Sequence, residues 1–149
     1  MTFTHESGHI IGGWLGGGDL KDAQLYPWQL PYSTFDPDPH PLITLWCGPV
    51  LGVLIPLAFA VLIRCEGMWF IAYFCVLANG SYLAIAWITG DRLLDTPKLL
   101  DKGETPLSIA IYCLLTIGVG YWGFRKSCVK VLSPKLINPP PSSRFPTNP

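Results

Sequence analysis

Charge is scarce in this chain. Only 13% of its 149 residues are Asp, Glu, Lys or Arg, about half the ~25% usual in soluble domains. Ten basic residues meet ten acidic ones, so no basic surplus points to nucleic acid. Histidine is rarer still, with three copies. The five cysteines (Cys47, Cys65, Cys75, Cys113, Cys128) form no C-x-x-C pair, and three lie inside apolar runs. No disulfide framework is implied, and they read as small buried hydrophobes. The N-terminus has no basic segment ahead of an apolar run, so a cleavable signal peptide is not expected. No internal repeat is present, which disfavours a transporter built from inverted repeats.

Long apolar runs are present instead. Residues 42–63 and 68–89 carry no charge, and residues 107–124 form a third run. Each meets or approaches the ~20 residues a membrane-crossing helix needs. Six Trp, six Tyr and seven Phe fit a protein with aromatic side chains at the membrane interfaces. These features predict an all-α fold: a polytopic membrane helical bundle of about three full spans plus a short N-terminal motif helix. The protein is then integral to the membrane, multi-pass and in contact with lipid. Residues 1–132 read as one membrane-embedded domain, and the Pro- and Ser-rich residues 133–149 as a disordered tail. The cations Arg64, Arg125, Lys126, Lys130 and Lys135 fall on one side, which favours a cytoplasmic C-terminus.

The motif helix covers about residues 3–14 and ends at Gly16-Gly17-Gly18, since glycine commonly terminates helices. It carries His5-Glu6-Ser7-Gly8-His9, an H-E-x-x-H arrangement. Histidines four residues apart share a helix face and can share a metal ion. Glu6 can then act as a base toward a water that the metal activates. Gly12, Gly13 and Gly16 continue the histidine stripe, so a neighbouring helix can approach closely.

Residues 19–41 hold five prolines (Pro27, Pro31, Pro37, Pro39, Pro41). They exclude a long helix and make a central strand improbable. The segment reads as an extended interfacial loop anchored by Tyr26, Trp28, Tyr32 and Phe35. His40, flanked by prolines, reads as surface and not as a ligand.

A catalytic zinc needs three protein ligands and an open position. With two histidines in hand, a carboxylate is the expected third. Asp91 and Asp95 are the candidates, just past the second apolar run, and acidic groups at membrane depth are usually functional. Asp95 is also a reasonable helix start, being followed by Thr96-Pro97. Asn79 and Ser81, inside the second run, either line the site or bond across helices.

Taken together, these segments resemble the site-2-protease family of intramembrane zinc metalloproteases. His5-Glu6-Ser7-Gly8-His9 with Gly16-Gly17-Gly18 is similar to the family's motif helix ending in glycines. Cys47-Gly48-Pro49-Val50-Leu51-Gly52 resembles its Ala-Gly-Pro-Leu stretch, with Gly48 and Gly52 as a close-packing pair. Leu94-Asp95-Thr96-Pro97-Lys98-Leu99-Leu100 resembles the Leu-Asp-Gly segment that supplies the third ligand. The likeness covers about residues 4–106 and looks like a divergent bacterial-type member. It implies Zn²⁺ held by His5, His9 and Asp95 (with Asp91 the alternative), Glu6 as catalytic base, and a membrane-protein or peptide substrate. Asn79 is implied as site-lining.

The sequence departs from the family in three places. Thr96 stands where the family has glycine, the Asn-x-x-Pro-x-Pro approach is missing, and only four residues precede His5. The last point favours the alternative of a catalytically inactive relative or scaffold in which the histidines are structural.

Overall fold

The computed structural model describes residues 2–26, 28–29 and 31–132. The expected tail, 133–149, lies outside the described residues. Five helices dominate: α1 Thr2–Leu15, α2 Pro41–Ile63, α3 Glu66–Thr89, α4 Asp95–Asp101 and α5 Pro106–Leu132. Helices α2, α3 and α5 are long and apolar enough to cross a membrane. The all-α architecture with three span-length helices and a short motif helix is thus observed.

The connector after α1 departs from the expectation of a plain loop. It folds into an antiparallel hairpin, β1 Leu20–Gln24 with β2 Tyr32–Phe35. A two-stranded ribbon has no central strand, so prolines beside it remove no interior ladder bond. Tyr26, Trp28 and Tyr32 are exposed as expected of interfacial anchors. Phe35 is not an anchor of that kind, because its ring lies over Gly13 and Gly18 and fastens the hairpin to α1.

Helix ends follow local chemistry. At the end of α1, Gly18 N–H donates to Gly13 O (2.8 Å) and Gly17 N–H to Trp14 O (3.0 Å). This paired pattern needs a left-handed residue, supplied by Gly17 at φ 75°, which glycine adopts without steric cost. At the start of α5, Thr105 Oγ1 accepts from Ser108 N–H (3.3 Å) just before Pro106 opens the helix, a cap followed by a proline with no N–H to satisfy.

Helices α3 and α5 run antiparallel, with Gly123, Gly120 and Gly80 facing Tyr73, Leu77 and Thr116 in turn. A Cβ at Gly120 would come within 2.7 Å of Leu77 Cα. Gly120→Ala is therefore expected to push the two helices apart at a cost of about 1–3 kcal/mol. Thermal unfolding in detergent reads this, and an unchanged midpoint would refute the close approach.

The apolar core lies where α3, α4 and α5 meet, around Leu83, Leu99, Ile109 and Cys113. Trp46 Nε1–H donates to Glu104 (2.5 Å) in the turn before α5, and Tyr112 Oη–H of α5 donates to Pro49 O (2.8 Å), so α2 is tied to both. All five cysteines are free. Cys75 and Cys113 are buried as small hydrophobes, whereas Cys65 is exposed between α2 and α3.

Candidate metal centre

The site begins with the seat of α1. Gly8 lies against Cys47 and Gly48 of α2, and Gly12 against Cys47 and Ile43, so closely that a Cβ on either glycine would overlap them. The glycines of α2 do something the small-residue pattern alone does not reveal. Gly48 leaves the space filled by the His9 imidazole, and Gly52 the space filled by the Asn79 carboxamide. Two glycines one helical turn apart thus cradle two polar side chains from two different helices.

Both histidines are buried, and each is oriented from behind. His9 Nδ1–H donates to the Thr44 carbonyl (2.8 Å) and His5 Nδ1–H to Asn79 Oδ1 (3.0 Å). Such partners fix the tautomer and leave Nε2 with its lone pair free. The two Nε2 atoms face each other at 3.1 Å. Asp95 Oδ2 stands 2.8 Å from Nε2 of His5 and 3.4 Å from Nε2 of His9.

Three lone-pair donors this close repel one another unless a cation sits among them. A zinc-like ion with ~2.0–2.1 Å bonds would set tetrahedral ligand edges of about 3.3 Å. The three separations observed are close to that spacing. His5, Glu6 and His9 likewise offer ligand atoms within 4.8 Å of one another. The group could therefore hold a metal ion, and the residues present fit one.

Among the aspartates, the structure brings Asp95 and not Asp91 to the histidines. Asp91 is exposed, and its Oδ1 accepts from Leu93 N–H (2.9 Å) in the turn after α3. Asp95 is the first residue of α4, after Leu94 at the cap position, and its side chain points to the histidines. Thr96 has a structural role of its own. Its Oγ1–H donates to the Leu83 carbonyl (2.8 Å), and with buried Leu99 it pins α4 to α3. His40 is exposed at the start of α2, outside the site.

A cleft of about 310 Å³ opens beside the histidines, lined by Glu6, His9, Asp95, Tyr82, Lys98 and the β2 residues Tyr32, Ser33 and Thr34, among others. Among the described residues two buried side-chain polar atoms lack a partner, Ser33 Oγ and Asn79 Nδ2. Ser33 lines the cleft, where an unpaired buried hydroxyl is available to a ligand, whereas Asn79 Nδ2 faces Gly52 of α2.

Sequence reasoning did not find Tyr82, whose ring meets His5 edge-on at 5.4 Å. Its position three after Asn79 on one helix is the signal that was there to read. Nor did it find Thr44, which acts through its backbone carbonyl, an atom every residue possesses.

Asn79 orients His5 without touching the place where a metal would sit. Asn79→Ala is expected to weaken metal binding by about 10–100-fold, as loss of an orienting partner does. Competition against a chromogenic chelator measures this, and unchanged affinity would remove Asn79 from the site.

Comparison with protein-family models, with curated proteins and with solved structures finds no match to this chain.

Proposed function

We propose that the chain is an integral, multi-pass membrane zinc metallopeptidase of site-2-protease type, which hydrolyses peptide bonds in or near the membrane. The observation that carries this reading is the convergence of His5 Nε2, His9 Nε2 and Asp95 Oδ2 within 3.4 Å, with Glu6 on the wall of the same cleft. Two histidines and a carboxylate leave one position open in a tetrahedral set, which is the arrangement of catalytic rather than structural zinc. Zinc bound there would polarise the scissile carbonyl and acidify the attacking water.

This chain's own groups supply the rest. Glu6 takes the proton of the attacking water and returns it to the leaving amine. Asn79 and the Thr44 carbonyl hold the imidazoles in the tautomer that exposes Nε2. The hairpin gives the substrate a wall to lie along: among the described residues β2 pairs with β1 alone, and its Ser33 and Thr34 line the cleft. An extended peptide fits that wall better than a helix, because an intact helix keeps its backbone groups paired and its peptide bonds shielded. Three span-length helices around the centre favour a membrane-protein or membrane-associated peptide as the substrate.

The test is hydrolysis of unwound or helix-destabilised peptide substrates by the purified chain in detergent. Activity is expected to vanish with 1,10-phenanthroline and to return on adding zinc. Hydrolysis indifferent to the chelator would overturn the reading.

A further inference from the structure

A second groove lies far from the histidines, where the start of α3 meets the end of α5. It encloses about 300 Å³ between Glu66, Trp69 and Tyr73 on α3 and Trp122, Lys126 and Lys130 on α5. Gly123 lets it form, because the Tyr73 ring occupies the space a Cβ would need. The Trp69 and Tyr73 rings stack at 5.5 Å to form part of the wall. Lys126 Nζ stands 3.5 Å over the Trp122 ring and has no carboxylate partner among the described residues. Lys130 Nζ pairs with Glu66 Oε1 at 3.0 Å, both exposed.

Charge is divided unevenly between the two ends of the bundle. Because α3 and α5 are antiparallel and α2 joins α3 directly, Arg64, Arg125, Lys126 and Lys130 share the end that holds this groove. Glu66 is the single acid there among the described residues, while the other nine acids lie toward the histidine end. Aromatic rings at the level where two spans leave the hydrocarbon, with lysines just beyond them, are the pattern of a helix end set at the headgroup layer.

We propose that this groove binds the headgroup of an anionic phospholipid. The phosphate would sit between Lys126 and Lys130, with Trp69, Tyr73 and Trp122 against the glycerol and upper acyl chain. Lys126 lies over Trp122 as a parked cation, held by the ring face until an anion takes it. Glu66 competes with the phosphate for Lys130. The site rests on the membrane placement proposed above and is independent of the hydrolase chemistry.

The detergent-purified full chain is titrated with phosphatidylglycerol or phosphatidylcholine, and bound lipid is counted by native mass spectrometry. Preferential retention of phosphatidylglycerol is expected. Lys126→Gln should weaken it about fivefold, the usual worth of one basic residue at an anionic surface, and the Lys126→Gln/Lys130→Gln double variant more. Arg64→Gln, on the same end but outside the groove, should leave it unchanged. Glu66→Gln should tighten it, a gain that misfolding does not produce. Equal retention of the two lipids by the unmodified chain would overturn the site. So would an Arg64→Gln loss as large as that of Lys126→Gln, since diffuse charge would then explain the binding. A chain that stays soluble without detergent would overturn the membrane placement itself.

Discussion

Replacing Glu6 by glutamine is expected to lower turnover by about 10²–10⁴-fold, the range a positioned general base contributes, while bound zinc stays near one per chain. The argument is local. Glu6 shares a helix with both histidines but lies one residue round from His5, on the face that borders the cleft. Glutamine keeps its length and its packing. It loses only the capacity to accept a proton and the negative charge. The groups that orient the imidazoles, Asn79 and the Thr44 carbonyl, are untouched. Metal by elemental analysis and kcat on a peptide substrate, taken from one preparation, separate the two roles. Turnover within a few-fold of the parent would exclude Glu6 as the base. Loss of the metal would instead make Glu6 a ligand, in keeping with how near its carboxylate lies to both histidines.

Periodicity and hydropathy made the bundle legible because they are local properties. Three apolar runs map onto α2, α3 and α5 with ends shifted by only a few residues, apart from the C-terminal end of α5, which continues past Phe124. That extension carries Arg125, Lys126 and Lys130, charges that hydropathy reads as the end of a span although the helix itself continues. The hairpin was not legible, since its strands are short and proline-flanked, and what holds it is tertiary: Phe35 on Gly13, and Asp19 exchanging backbone bonds with Asp36 and Pro37.

The site was legible in part for the same reason. His5, Glu6 and His9 are neighbours in sequence, so helix geometry alone brings them together. Asp95 is 90 residues from His5, and residue type does not distinguish it from Asp91. The likeness of residues 94–100 to a ligand-bearing segment favours Asp95, and the docking of α4 through Thr96 and Leu99 is what brings it to the histidines.

That docking leads to the other large effect. Asp95→Ala should abolish stoichiometric zinc, with affinity falling by more than the ~100-fold upper range for losing an orienting partner, whereas Asp91→Ala should bind zinc as the parent does. The physical difference is burial. Asp91 accepts one exposed backbone hydrogen bond, worth about 1 kcal/mol, and water replaces it. Asp95 is 6% exposed, and its Oδ2 stands 2.8 and 3.4 Å from Nε2 of His5 and of His9. Its removal leaves two buried imidazoles facing each other with one ligand fewer for any cation between them. Truncation also empties buried volume, so Asp95→Ala should unfold at lower temperature by about 1–3 kcal/mol, and added zinc should no longer raise its midpoint. Asp95→Asn separates the two consequences, because it keeps the volume and a weak acceptor. It should recover much of the stability without recovering the metal. If Asp91→Ala loses zinc and Asp95→Ala keeps it, α4 is misplaced and the centre has to be rebuilt around the turn after α3. If both keep it, His5, Glu6 and His9 hold the ion themselves, and Glu6 is no longer free to serve as base.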